Sequence, residues 1–189
     1  MSRIIFITGG CRSGKSAFAV SLARGMGRST RVLATCVPCD AEMEARVAAH
    51  RRERPPGWST SEVNLDLEAA LIASNEEVVL LDCVPTWIGN LLMAERSSAT
   101  ILDAVRSLRR ALQACPARTA LVLGAEVGSS IVPETALGRQ FRDLVGAANQ
   151  ELAAAATRAY LMVAGVACAL PVRPVADLAA EITAITENG

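Results

Sequence analysis

The chain has 189 residues, of which 51% are apolar, and this length and composition suit one domain with a substantial core. Basic and acidic side chains are equal in number and only 3% of residues are aromatic. A protein without a basic field or many stacking side chains is poorly equipped to bind nucleic acid, so small molecules are the expected partners.

The first predicted element is a buried strand at residues 4–7, and a glycine-rich loop follows it directly. Residues 9–16 read Gly-Gly-Cys-Arg-Ser-Gly-Lys-Ser and fit the phosphate-loop pattern G-x-x-x-x-G-K-[ST]. Glycines let successive backbone N–H groups face one anion, and a helix beginning near Lys15 adds its positive end. Lys15 is expected to reach the β- and γ-phosphates of a nucleotide, and the Ser16 hydroxyl to hold Mg²⁺. The alternative is a chance glycine turn, but the amphipathic pattern of residues 17–23 favours the phosphate loop.

The following elements alternate between apolar strands and helices. Strands are predicted at residues 31–36, 58–63, 77–83, 118–124 and 160–164, with a possible further strand through residue 170. Helices are predicted at residues 40–54, with Asp40 as the N-cap, and at 65–74, 86–95, 100–115, 134–157 and 174–186. No linker divides the chain, so residues 1–189 are interpreted as one domain. The expected fold is the α/β, RecA-like P-loop NTPase fold, in which helices cover both faces of a mainly parallel sheet.

Two residues outside the loop are candidates for chemistry. Asp82 ends an apolar strand, where a P-loop protein carries the acidic residue that holds Mg²⁺ beside the loop serine. A structural alternative is that Asp82 only caps the turn after the strand. His50 is the only histidine, and it precedes Arg51, Arg52 and Arg54, which would attract phosphates. An imidazole nitrogen can attack phosphorus, although most single histidines have no covalent role.

The six cysteines and the apolar segments bear on the compartment. Cysteines of a cytosolic chain are more often small, buried apolar side chains than members of disulfide bonds. Cys36 and Cys39 have C-x-x-C spacing, but the absence of a second such pair and the single histidine argue against zinc or redox chemistry. The N-terminus lacks a signal-peptide pattern, and the apolar run at residues 159–172 is too short to span a bilayer. A soluble, cytoplasmic protein is therefore expected.

Several segments occur in the same order as in one known family of enzymes. Residues 9–16 are similar to its G-G-x-R-S-G-K-S loop, residues 40–50 to D-x-E-M-x-x-R-I-x-x-H, and residues 58–62 to W-x-T-x-E. Residues 80–92 resemble a segment with an acidic residue, cysteine, threonine, tryptophan and Asn-Leu-Leu, and residues 126–133 and 139–150 also match. These segments resemble the bifunctional adenosylcobinamide kinase / adenosylcobinamide-phosphate guanylyltransferase family of cobalamin biosynthesis. The phosphate loop alone is generic, but the other segments together are specific.

The resemblance implies a cytoplasmic homotrimer that acts on small molecules with Mg²⁺ and with ATP or GTP as substrates. Such an enzyme phosphorylates adenosylcobinamide on its aminopropanol hydroxyl. It then transfers GMP from GTP to adenosylcobinamide phosphate through a guanylylated histidine, giving adenosylcobinamide-GDP and pyrophosphate. By position, Lys15 and His50 are the catalytic residues, and Ser16 and Asp82 the metal ligands. The implied nucleotide contacts are Gly9, Gly10, Cys11, Arg12, Ser13, Gly14, Lys15, Ser16, Ala34, Thr35, Cys36, Arg51, Arg52, Glu53, Arg54, Glu62 and Asp82.

Two positions depart from the family pattern, and two other functions remain open. Ala49 stands where one known member of the family has a second histidine directly before the nucleophile, and Ala125 stands where many members have asparagine before Glu126. One alternative function is a simple small-molecule kinase in which His50 is inert. The other is a RecA-like nucleotide-switch ATPase acting on a macromolecular partner, which the neutral charge and few aromatics disfavour.

Overall fold

The computed structural model describes residues 2–38, 41–52 and 54–172, without the side chains of Glu42 and Arg46. The strands are β1 (Arg3–Gly9), β2 (Thr30–Ala34), β3 (Ser59–Glu62), β4 (Val78–Asp82), β5 (Thr119–Leu123), β6 (Arg158–Val163) and β7 (Val166–Leu170). The helices are α1 (Lys15–Gly25), α2 (Ala41–Arg52), α3 (Leu67–Ile72), α4 (Val84–Met93), α5 (Ser98–Ala114) and α6 (Ala136–Ala155). The predicted N-cap Asp40, Cys39, Glu53 and the predicted helix 174–186 lie outside the described residues.

The strands form one seven-stranded sheet in the order β3-β2-β4-β5-β1-β6-β7. Neighbouring strands are parallel except for β6 and β7, which are antiparallel. The possible further strand through residue 170 is therefore confirmed as β7. Because β1 lies between β5 and β6, the loops that follow β1 and β5 meet at the same carboxyl edge of the sheet.

Helices cover both faces of the sheet, as predicted. Along β1, alternate side chains point to opposite faces, because side chains in a strand alternate with period two. Ile4 and Phe6 pack with buried residues of α3, α4, α5 and α6. Ile5 and Ile7 pack on the other face with Ala19 and other residues around α1. The α/β class and the three-layer arrangement are thus confirmed.

Caps explain why several helices begin one or two residues away from their predicted starts. Asp66 precedes α3 and accepts a hydrogen bond from the backbone N–H of Ala69, at 3.2 Å. Ser97 and Thr135 make the equivalent bonds at the starts of α5 and α6. In each helix an oxygen of the side chain satisfies an N–H group that has no partner within the helix. Helix α4 starts earlier than predicted because Pro85 suits the first turn of a helix.

Candidate active site

The loop between β1 and α1 has the backbone shape that its glycines predict. Gly14 immediately precedes α1 with a φ of 95°, and Gly9 ends β1 with a φ of 148°. Residues other than glycine rarely adopt φ angles in this range. Helix α1 begins at Lys15, and its N-terminal end therefore lies at the loop. This arrangement is the one in which phosphate loops present backbone N–H groups to an anion.

The rear of this loop packs closely on the β6–β7 hairpin. A Cβ atom added to Gly9 would lie 2.4 Å from the carbonyl oxygen of Met162 in β6. A Cβ atom on Gly14 would lie 3.3 Å from the Cα of Gly165, in the turn of the hairpin. The backbone N–H of Gly165 also donates a 3.0 Å hydrogen bond to the carbonyl of Ser13. The hairpin therefore fixes the position of the phosphate loop from behind.

Lys15 bends back over the loop that precedes it. Its Nζ donates hydrogen bonds to the carbonyls of Gly9 (2.7 Å) and Gly10 (2.6 Å) and contacts the Ser13 Oγ at 3.5 Å. Burial lowers the pKa of the Lys15 ammonium, while the nearby Cys83, Cys11, Asp82 and Glu126 act in the opposite direction. The ammonium group is thus held over the phosphate loop, at the edge of the cavity that Lys15 lines.

A cavity of about 650 Å³ opens in front of the loop, a size typical of a site for a small molecule. It lies at the carboxyl edge of the sheet, where ligands of parallel α/β proteins bind. Predicted site residues that line it are Cys11, Arg12, Ser13, Gly14, Lys15, Ser16, Ala34, Cys36, His50, Arg51, Arg54, Glu62 and Asp82. The structure thus brings together residues that are far apart in the sequence.

Helix α2 contributes one wall of this cavity. Met43, Val47 and His50 all line it. Their spacing of four and three residues places them on one face of the helix. The apolar pattern of α2 therefore faces the cavity, and none of its described side chains is fully buried. The helix carries His50 to the same cavity as the phosphate loop.

Two ion pairs connect α2 and the segment after it to the sheet. The Nη2 of Arg54, whose side chain is 9% exposed, lies 3.5 Å from Oδ2 of Asp82 at the end of β4. Burial lowers the pKa of the Arg54 guanidinium, and the Asp82 carboxylate opposes that change. Arg51 pairs with Glu62 at the end of β3. Arg51, Arg54 and Glu62 also line a second cavity of about 530 Å³, together with Trp58 and Thr60.

Five of the predicted nucleotide contacts either do not line the main cavity or lie outside the described residues. The side chain of Thr35 is buried, and its Oγ1 donates to the carbonyl of Cys83 at 2.8 Å. It also accepts from the backbone N–H of Cys83 at 2.9 Å, so that it joins the ends of β2 and β4. Arg52 is exposed, Gly9 and Gly10 present carbonyls to Lys15, and Glu53 lies outside the described residues.

The sequence patterns do not indicate several of the residues that line the cavity. They are Ala17, Met43, Val47, Cys83, Pro85, Thr86, Leu123, Gly124, Ala125, Glu126 and Val127. Glu126 is the titratable carboxylate among them, and it follows β5 closely. The signal that could have found it is its place just beyond a buried strand, since polar residues there reach the binding edge of a parallel sheet.

The oxygen groups of Ser16 and Asp82 suit Mg²⁺, because both line the cavity and Mg²⁺ is usually held by few protein oxygens together with phosphates. Within the described residues no group of three or more His, Cys, Asp or Glu side chains could hold a metal ion. That part of the chain also has no disulfide and no helix long and apolar enough to cross a membrane.

The sheet order, the loop geometry and the cavity define the chain as an α/β protein of the P-loop NTPase fold. Residues 5–170 match the family described as cobinamide kinase / cobinamide phosphate guanyltransferase. The chain therefore belongs to this family of bifunctional enzymes, and the resemblance is confirmed.

Three relatives, at 37–42% identity, support the same assignment. The bifunctional adenosylcobalamin biosynthesis protein CobU of Escherichia coli is 42% identical over 179 residues, which cover 86% of this chain and 97% of that protein. The CobU protein of Salmonella typhimurium is 39% identical with the same coverage. The CobP protein of Pseudomonas aeruginosa is 37% identical over 171 residues, covering 89% and 97%. Among solved structures, the VirB11 ATPase of Brucella suis in complex with sulphate has a TM-score of 0.43 and 10% identity, covering 90% of this chain and 47% of that chain.

Proposed function

We propose that the protein phosphorylates adenosylcobinamide with ATP or GTP and then transfers GMP from GTP to adenosylcobinamide phosphate. The products of the second step are adenosylcobinamide-GDP and pyrophosphate. The observation that carries the proposal is that His50 and the phosphate loop line one cavity in a chain of this family. A simple kinase has no use for an imidazole at that position.

In the kinase step, the phosphate loop and Lys15 stabilise the charge of the γ-phosphoryl group as it moves to the acceptor hydroxyl. Lys15 has to exchange its bonds to the Gly9 and Gly10 carbonyls for bonds to phosphate oxygens. Ser16 and Asp82 are the residues that would hold Mg²⁺, which neutralises phosphate charge when bound.

In the transfer step, an imidazole nitrogen of His50 forms a bond to the α-phosphorus of GTP, and the bond to pyrophosphate breaks. A phosphate oxygen of adenosylcobinamide phosphate then attacks the same phosphorus, and the bond to the imidazole breaks. Arg51 and Arg54 line the cavity beside His50 and supply positive charge for these phosphates. Splitting the transfer in this way leads to ping-pong kinetics for GTP.

The decisive variant is His50→Ala, assayed separately for both reactions with folded protein. It should lose guanylyl transfer and the labelled GMP adduct, which as a phosphoramidate is acid-labile and stable in base. Phosphorylation of adenosylcobinamide should largely persist, because that step needs no covalent intermediate on the enzyme. A variant that still makes adenosylcobinamide-GDP at the wild-type rate would show that His50 is not the nucleophile.

Lys15→Ala is the matched variant for the other reaction. Kinase activity should fall at least roughly a hundredfold, about 2.7 kcal/mol of barrier, because the cation at the β- and γ-phosphates is lost. Near-native phosphorylation by this variant would contradict the role of the phosphate loop.

Loss of both activities in His50→Ala, with nucleotide still bound, would require a different division of roles between the two residues.

The protein is further proposed to work as a homotrimer in the cytoplasm. Apolar side chains that are exposed in one chain support self-association, because large apolar groups on a surface often mark an interface. Ile131 is 92% exposed, and Val163 and Val166 on the edge hairpin are 53% and 63% exposed. Strand β7 also leaves one edge of the sheet unpaired within the described chain.

A further inference from the structure

Glu126 is an acidic residue of the cavity that neither proposed step yet uses. It lies just beyond β5, next to the phosphate loop, because β5 is paired with β1. Its backbone N–H donates to the carbonyl of Gly9 at 3.2 Å. Its carboxylate oxygen Oε1 accepts hydrogen bonds from Thr8 Oγ1 at 2.7 Å and from Asn149 Nδ2 at 3.2 Å. The side chain is therefore held from β1 and from α6.

The residues that hold Glu126 are themselves well fixed. Thr8 is 4% exposed and belongs to β1. Asn149 is 9% exposed, and its Nδ2 also donates to the carbonyl of Ala125 at 2.9 Å. Two neutral donors thus orient the carboxylate through one oxygen. Within the described part of the chain, no hydrogen bond occupies the second oxygen, Oε2.

The other carboxylates of the cavity are engaged differently. Glu62 pairs with Arg51, and Asp82 pairs with Arg54. Each of these two carboxylates is therefore occupied by an arginine partner. Of the carboxylates that the structure describes in this cavity, Glu126 alone is outside an ion pair. A carboxylate close to a phosphate-binding loop repels the phosphate groups of the ligand. Because Glu126 is nevertheless fixed at this position, we expect it to have a chemical role.

We propose that Glu126 is the general base of the kinase step, which deepens and rests on the proposed function. As the acceptor hydroxyl oxygen bonds to the γ-phosphorus, its proton passes to the Glu126 carboxylate. The bond between the γ-phosphorus and the bridging oxygen breaks, and the nucleoside diphosphate leaves with that electron pair. Thr8 and Asn149 are positioning residues. A carboxylate that accepts the proton of the attacking hydroxyl is a general solution in phosphoryl transfer.

The test is Glu126→Gln, which keeps the size of the side chain and removes its capacity to accept a proton. Phosphorylation of adenosylcobinamide should fall roughly a hundredfold or more. Guanylyl transfer to separately supplied adenosylcobinamide phosphate should fall far less, because its acceptor is already an anion. Glu134→Gln, at an exposed position in the segment between β5 and α6, is the matched control and should match the wild type.

The positioning role is tested with Thr8→Val and Thr8→Ser. Valine removes the donor to Glu126 and should lower the kinase rate by a smaller factor than Glu126→Gln, whereas serine keeps the donor and should restore the rate. A Glu126→Gln enzyme that phosphorylates like the wild type, or that loses both reactions equally, would overturn the proposal for Glu126 alone. A wild-type protein without either activity would overturn the proposed function together with this inference.

Discussion

Lys15 is the only lysine in the chain, so its amine can be observed without overlap from other lysine side chains. The surrounding loop holds the ammonium group through two backbone carbonyls. Burial nevertheless opposes its positive charge and lowers its pKa. The amine that is expected to bind phosphate is therefore protonated less readily before the ligand binds than the amine of a fully solvated lysine.

A titration of this amine should show both effects. In protein labelled with ¹³C-lysine, the Lys15 side chain should titrate at a lower pH than free lysine in the same buffer. Added GTP should move the midpoint upward, since phosphate oxygens favour the charged amine. Lys15→Arg identifies the signal by removing it. A midpoint at or above that of free lysine in the nucleotide-free protein would contradict the effect of burial.

The residues of the site differ in how far the sequence alone indicates them. Local patterns indicate Lys15, Ser16 and Asp82, the resemblance to the family adds His50, and the structure places all four around one cavity. Thr35 was selected with its neighbours, but its side chain is buried between strands because successive residues point to opposite sides. The place of Glu126 just beyond a buried strand indicates the binding edge of the sheet, but its closeness to the loop depends on β5 pairing with β1, which no local pattern reveals.

At the scale of elements, the phosphate loop depends on the β6–β7 hairpin behind it. Gly9→Ala places a Cβ atom against the carbonyl of Met162 and at a φ that alanine rarely adopts. We expect the free energy of unfolding to fall by about 1–3 kcal/mol and nucleotide binding to weaken. Chemical denaturation measures the first effect and calorimetric titration with GTP the second.

Gly10→Ala is the matched control for this prediction. An added Cβ atom at Gly10 would have no heavy atom within 4 Å. The free energy of unfolding of the Gly10→Ala protein should therefore differ from that of the wild type by no more than about 0.5 kcal/mol. Equal destabilisation by the two substitutions would show that the contact with β6 is not what makes Gly9 necessary.

Helix α2 illustrates the difference between a pattern and its setting. The sequence predicts one face formed by Met43, Val47 and alanines, and such a face usually packs on the core. In the structure Met43 and Val47 line the cavity beside His50. Periodicity identifies a face of a helix, but the partner of that face depends on contacts that are distant in sequence. The central strands β1, β4 and β5 are predicted more directly, because they are apolar and buried along most of their length.

For the whole molecule, the prediction to test is the oligomeric state. The proposed homotrimer should have about three times the 19.8 kDa mass of one chain when light scattering is measured after size-exclusion chromatography. Burial of exposed apolar side chains such as Val163 and Val166 would stabilise it. Val166→Asp should shift the mass toward that of a single chain, because association would bury an unpaired charge.

A trimer that Val166→Asp leaves intact would show that the edge hairpin takes no part in association. The exposed Glu44→Gln variant serves as the control for a change of charge elsewhere. A single-chain mass for the wild type would refute the trimer without affecting either proposed reaction.

The shared cavity has a consequence for the throughput of the two proposed reactions. In the proposed function, the nucleotide consumed in the first reaction and the GTP consumed in the second bind in the same cavity of about 650 Å³, between the phosphate loop and His50. The diphosphate left by the first reaction therefore has to depart before GTP can enter. An abundance of ATP then accelerates the first reaction and delays the second. The ratio of the two nucleotides, rather than their total supply, would set the pace at which finished product appears.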